Sequence, residues 1–210
     1  MAKGPAARKA TPEAQSLTRR LLKPLQALIC LSVSFAASAE DTPPEWVIEA
    51  RQGAQALGGQ LKQALTQAIE EDGLGAAVAV CQIDAPGIAD RVSTGNLTVG
   101  RTALRVRNPD NTADAWEQRV LEGFERRIAA GDDPASLELF AIRRHGGERQ
   151  GHWMKAIPTG GLCLACHGND IDAELKATID QRYPLDQATG FEPGSLRGAF
   201  SVTVDLPESD

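Results

Sequence analysis

Aromatic residues are scarce in this 210-residue chain: three Trp, one Tyr and five Phe leave the core to be built mostly from aliphatic side chains. Only one Cys-x-x-Cys pair occurs, so a zinc site made of two ligand pairs of matching spacing lacks its second half. Long apolar runs are equally few. The longest, Leu25 to Ala37, is too short to span a bilayer comfortably. No second segment approaches that length, so stable membrane insertion is not expected once the N-terminus is removed.

What surrounds that run is informative. Lys3, Arg8, Lys9, Arg19, Arg20 and Lys23 precede it against one acid, Glu13, and Ala37-Ser38-Ala39 ends it with a small-x-small cleavage signal. Residues 1–39 therefore read as a secretory signal peptide, and residues 40–210 as one exported domain of 171 residues destined for the periplasm. The basic start is unusually long, so the sequence does not fix Met1 as the initiator. Cys30 is expected to leave with the peptide, because Ile29 is too bulky for a lipoprotein signal. Taking the peptide's six basic and one acidic residues from totals of 22 and 28 leaves 16 against 27, a net charge of −11. Such a charge argues against nucleic acid or anionic lipid as a partner. It serves solubility, or steering toward a basic redox partner.

The most specific signal is Cys163-Leu164-Ala165-Cys166-His167-Gly168. Two cysteines three apart with histidine after the second form the attachment signal for one covalent c-type haem. Each thiol adds to one porphyrin vinyl group, and the adjacent imidazole is carried beneath the iron as proximal ligand. A thioredoxin-like dithiol would want a strand before the pair and a helix through it. Pro158-Thr159-Gly160-Gly161 before it and Gly168-Asn169-Asp170 after it predict a loop instead. A buried haem would also add the large apolar body that the aromatics do not provide.

In chain order, Thr42-Pro43-Pro44-Glu45 reads as a capped helix start. Val47, Ala54, Leu57, Leu61, Leu65 and Ala68 form its apolar stripe, Gly58-Gly59 weakens it or admits close packing, and Gly73 ends it. Ala77, Cys81, Ala85, Ile88 and Val92 suggest a second helix kinked at Pro86, with a buried strand over 76–80 as the competing reading. A strand over 97–107 runs to the turn 108–111, and a helix from Thr112 or Asp114 stops at Gly131. Strands 137–144 and 152–157 make a hairpin through Gly146-Gly147. A short helix over 171–182 precedes the last strand, where Leu196, Gly198, Phe200, Val202, Val204 and Leu206 alternate as for one buried face. The pattern is α+β.

With Cys163 and Cys166 bound to porphyrin, Cys81 has no partner in an exported protein. It is either a small buried hydrophobe or an axial thiolate. Met154, the sole methionine beyond the signal peptide, competes for that position, as do His145 and His152. Spacing alone leaves Met154 and Cys81 level.

The order of Cys81 with Ala85-Pro86, Arg101-Thr102-Ala103-Leu104, Arg107-Asn108-Pro109 with Asn111, Ala115-Trp116-Glu117, the haem motif, Tyr183-Pro184 with Asp186, Ala188, Gly190 and Phe191, and Gly194 with Leu196-Arg197-Gly198 resembles a family of single-haem exported proteins first catalogued as a domain of unknown function. The resemblance spans most of the exported domain. It implies a PAS-like antiparallel sheet with long N-terminal helices around a covalent haem. The cyanobacterial member that typifies the family holds its iron by histidine and cysteine. Carried over, His167 is the proximal ligand and Cys81 the distal thiolate, with Met154 as the alternative. Ala103 stands where a hydroxyl residue is expected, which bears on packing more than on ligation.

The expected function is low-potential electron transfer by a mono-haem cytochrome working with a redox partner protein. The alternative is a redox or diatomic-gas sensor signalling through a separate partner, and a haem enzyme using His145 or His152 ranks third. Arg101, Arg105, Arg107 and Arg197 are candidates for the haem propionates, with Arg101 and Arg197 preferred because they lie inside the resembling motifs. The reading competing with each is a solvated strand face, and core packing is the expectation for Trp116 and Tyr183. The oligomeric state is not legible.

Overall fold

The computed structural model describes residues 42–208; the expected signal peptide and its cleavage site lie outside the described residues. Helix α1 (Glu45–Ala79) starts where expected, with Pro44 in the N-cap position. Val47, Ala50, Ala54 and Leu57 are buried along it. Gly58 permits close approach: an added Cβ would lie 2.8 Å from the Phe200 ring. Gly73 breaks the rod as expected, at φ 80° and ψ −176°, a conformation open to glycine.

The kink expected at Pro86 takes a specific form. Val80–Asp84 is a π-helical turn in which the Ala85 N–H reaches back to Val80 O, and Pro86 enters the first turn of α2 (Ala85–Val92). Proline offers no N–H to the Gln82 carbonyl and crowds it, and widening the turn by one residue absorbs both effects. Cys81 sits in this widened turn.

Strands β1 (Leu97–Thr102), β2 (Glu138–His145), β3 (Glu148–Pro158) and β4 (Leu196–Asp205) form one antiparallel sheet in the order β1-β4-β3-β2. The Gly146-Gly147 hairpin is present, with β3 starting ahead of the expected His152. Strand β1 stops at Thr102 rather than Arg107. Beyond it the Ala103 N–H bonds Asn111 O at 3.1 Å, and the chain leaves the sheet. Gly198 makes that exit possible, since a Cβ there would lie 2.5 Å from Thr102 O.

Helices cover both sheet faces. α1 packs on Val99, Trp153, Val202 and Val204. α3 (Ala115–Ala129) packs on Met154, Ala156, Leu196 and Ala199. Strand β4, expected to bury one face, is central and buries both. α5 (Ala173–Arg182) adds a third cluster, in which Leu175, Ile179 and Tyr183 meet Val78 of α1. Helices and an antiparallel sheet in one domain make the architecture α+β. Among the described residues no helix is long and apolar enough to cross a membrane.

α3 begins with a full capping box: Asp114 accepts from the Trp116 and Glu117 N–H groups, and Glu117 accepts from the Asp114 N–H. Burial pushes the Asp114 carboxyl up, but these N–H donors, with Arg143 and His152 nearby, outweigh it and hold it below its ordinary value. Asp114→Ala is expected to cost about 1 kcal/mol in urea unfolding. The sign for pH follows: a depressed carboxylate stabilises the fold at neutral pH, and that contribution fades as acid protonates it. The wild-type advantage over the variant should therefore shrink below the ordinary aspartate range.

Candidate functional site

The cysteine pair and histidine lie on a short helix, α4 (Gly161–His167), not in the expected loop. Gly160 takes the N-cap and the Gly168 N–H closes on Leu164 O at 2.9 Å, so the flanking glycines punctuate a helix rather than replace it. One turn of helix brings residues three apart to the same side, which places Cys163 and Cys166 together. His167 is held from behind: its Nδ1 donates to Ala188 O at 2.6 Å. A carbonyl oxygen only accepts, so the ring proton is fixed on Nδ1 and the Nε2 lone pair is left for a ligand. Burial, then Arg197 and Arg107, push the His167 pKa down to about 3, and the ring is neutral near pH 7.

α4 forms one wall of a cavity that, with its open mouth included, encloses about 1170 Å³. α1 lines it with Leu65, Ile69, Leu74, Ala77 and Val78, and the widened turn adds Cys81. Arg101 and Arg197 enter from β1 and β4, and Tyr183 from the end of α5. Cys81, Cys163, Cys166 and His167 thus border a single space. They do so from separate walls: among the described residues no three His, Cys, Asp or Glu side chains gather into a metal-binding cluster.

The cavity is electropositive. Among the described residues neither Arg101 nor Arg197 pairs with a carboxylate. Burial pushes the Arg101 guanidinium below its ordinary value, against the pull of Cys81 and Tyr183. Burial, Arg107 and Arg101 bring Arg197 down to about 10. Burial pushes the Cys166 thiol up, with Arg107 opposing. Tyr183 is pushed up to about 12, chiefly by burial and by Cys81.

Arg107 also lines the cavity but is engaged by other groups, and Arg105 lies outside the lining. Arg107 Nη2 bonds Cys166 O at 2.6 Å and Asp186 Oδ2 at 3.0 Å, so it clamps the C-terminal end of α4. Arg105 donates to Thr189 O at 2.9 Å and lies over the Phe191 ring at 3.8 Å. Met154 is fully buried under α3 and does not reach the cavity. The hairpin histidines do not reach it either; His152 packs on Trp116 at 5.4 Å. Sequence reasoning gave no role to Asp186, and packed Tyr183 in the core without seeing that it also lines the cavity. The Asp186-Gln187-Ala188 turn had a local signal, since the Asp186 side chain accepts from the Ala188 N–H at 2.8 Å. Its pairing with Arg107 had none.

The family profile described as Tll0287-like matches residues 8–205. The chain belongs to the Tll0287-like family. The crystal structure of the cyanobacterial heme-protein Tll0287 superposes with a TM-score of 0.54 at 26% identity, covering 80% of this chain and all of that one. The Tll0287 match fits the PAS-like sheet that the sequence suggested. No curated protein matches. Within the Tll0287-like frame, the cavity between α1, α4 and the β1–β4 edge is the place where this chain's thiols, imidazole and free guanidinium groups meet.

Proposed function

We propose that this is a periplasmic mono-haem c-type cytochrome for low-potential electron transfer, its haem bonded to Cys163 and Cys166, with His167 and Cys81 as axial ligands. One observation carries this reading: residues from the widened turn after α1 and from α4 face one apolar cavity. They fit an iron porphyrin. Two thiols share a helix face, a neutral imidazole keeps Nε2 free, and Cys81 supplies a soft ligand from another wall. Arg101 and Arg197, without carboxylates of their own, suit propionates. Bound there, the haem supplies one-electron exchange. The chain would orient it through α4 and exclude water with Leu65, Ile69, Leu74, Ala77 and Val78 of α1. The Cys81 thiolate, an anion on iron, favours the ferric state and lowers the potential.

A sensor reading has its own support. Gln82, next to Cys81, donates to Arg182 O at 3.2 Å, and Arg182 Nη1 returns a bond to Gln82 Oε1 at 3.0 Å. Release of Cys81 from iron would be felt at the end of α5. In either case export precedes haem attachment, and the partner is a separate protein.

The test is expression in a host competent in cytochrome maturation. A coloured protein whose mass rises by one haem, retained on denaturation, is expected; colourless protein of apoprotein mass overturns the proposal. His167→Ala should disturb the ferrous spectrum and carbon monoxide binding far more than His145→Ala, and comparable effects would reassign the proximal ligand. Rapid carbon monoxide or nitric oxide uptake by the wild type would favour the sensor. Inertness with fast electron exchange favours the carrier.

A further inference from the structure

Strand β2 is the end of the sheet: among the described residues it pairs with β3 alone. It is eight residues long, its register with β3 is free of bulges, and it contains no proline. Natural edge strands are usually blunted by proline, a bulge or a central charge. Here the charges Glu138, Arg143 and Arg144 stand toward the ends, and Leu139, Phe140, Ala141 and Ile142 occupy the middle. Exposed large apolar side chains gather at this edge. Leu139 is 40% exposed, Phe140 43% and Ile142 49%, and Ile48 on the adjoining helix is 40% exposed. Phe140 sits edge-on to Trp46 of α1 at 5.7 Å, and Arg51, one turn beyond Ile48, bonds Glu138. The apolar patch therefore continues from the strand onto the helix.

We propose that this edge binds a second copy of the chain, β2 against β2, antiparallel about a two-fold axis through Ala141. Side chains alternate between faces, so a two-fold axis perpendicular to the sheet keeps α1 faces together only if it passes through a residue rather than between residues. Among the central positions, Ala141 gives the self-complementary register. On the α1 face Phe140 then stands opposite Ile142 of the other copy, and Glu138 opposite Arg144, each pair occurring twice, while on the other face Leu139 stands opposite Arg143. Centring on Phe140 would set Glu138 against Ile142, and centring on Ile142 would set Phe140 against Arg144. Glu138 and Arg144 already bond Arg51 and Glu208 at the strand's ends, so the new pairs extend existing ion pairs without stripping a charge. The product is a continuous eight-stranded sheet with both copies of α1 on one face, and it requires nothing of the haem cavity.

Sedimentation equilibrium of the mature haem-loaded protein tests this. The wild type should dimerise, more tightly at higher salt because the two acidic chains repel. Phe140→Glu and Ile142→Lys should each raise the dissociation constant at least about tenfold. The double variant Phe140→Glu/Ile142→Lys should recover dimerisation, because the Ala141-centred register sets each new carboxylate against the other copy's new ammonium group. Recovery also shows that the variants fold. A wild type that stays monomeric at its highest soluble concentration, single variants that dimerise as before, or a double variant that fails to recover would each overturn the proposal.

Discussion

Replacing Cys81 by alanine should leave a coloured protein with its haem still covalently bound, while the ferric thiolate signature in electron paramagnetic resonance disappears. In the proposed function attachment would depend on Cys163 and Cys166, which α4 holds without help from Cys81. The ligand set depends on which side chains reach the cavity. Met154 is locked in the core under α3, and His145 and His152 lie on the hairpin away from it. No other soft or imidazole ligand among the described residues lines the cavity with Cys81 except those of α4. If Cys81 ligates the iron as proposed, its loss would remove a negative charge there, and the midpoint potential should rise by on the order of 100 mV, a fraction of the ~0.8 V that axial ligands command. Carbon monoxide should bind the ferrous variant readily. Cys81 is half-buried, and its truncation should cost little stability. Unchanged paramagnetic resonance and potential would mean that Cys81 is only packed there.

Much of this was legible in local sequence. The Gly146-Gly147 hairpin, the break at Gly73 and the start of α3 at Asp114 each rest on a pattern a few residues long, and each is present. The β4 strand is present too, but its alternation did not show that both of its faces are buried. The haem motif was equally local, yet its backbone was misjudged. Glycines on both sides read as loop, although Gly160 and Gly168 are the cap positions of a seven-residue helix. The widened turn at Cys81 was half visible. Pro86 announced a distortion, but not that it takes the form of one inserted residue over Val80–Asp84. Where β1 leaves the sheet depends on Gly198, distant in sequence, passing beneath Thr102. The division among the arginines was legible only through the family resemblance, which preferred Arg101 and Arg197, and not through local pattern. Arg101, Arg107 and Arg197 all line the cavity, but Arg107 is bound to Asp186, and nothing near Arg107 in sequence reveals a partner that far along the chain.

That buried pair should carry the largest single contribution to stability near the site. The side chains of Arg107 and Asp186 are 8% and 4% exposed, and their atoms stand 3.0 Å apart. Removing one partner leaves a buried charge uncompensated, which costs about 3–5 kcal/mol. Without Asp186, Arg107 would keep only the neutral carbonyls of Cys166 and Ala188, and its Nε is buried without a partner. Asp186→Ala should therefore lower the thermal midpoint by on the order of 10 °C for a domain of this size. Arg107→Met/Asp186→Leu should recover most of the loss, because an apolar pair of similar bulk leaves no charge behind. The same carboxylate also shapes the site. Asp186 Oδ1 accepts from the Ala188 N–H, and the Ala188 carbonyl accepts from His167 Nδ1, so the aspartate fixes the turn that aims the imidazole. Asp186→Asn keeps an oxygen for Ala188 while losing the charge. It should be destabilised yet retain the wild-type ferrous spectrum, whereas Asp186→Ala should lose stability and broaden that spectrum. A stability loss in the alanine variant below about 1 kcal/mol, the level of an ordinary hydrogen bond, would reduce the pair to a surface contact. Identical spectra in the two variants would separate Asp186 from the aim of His167.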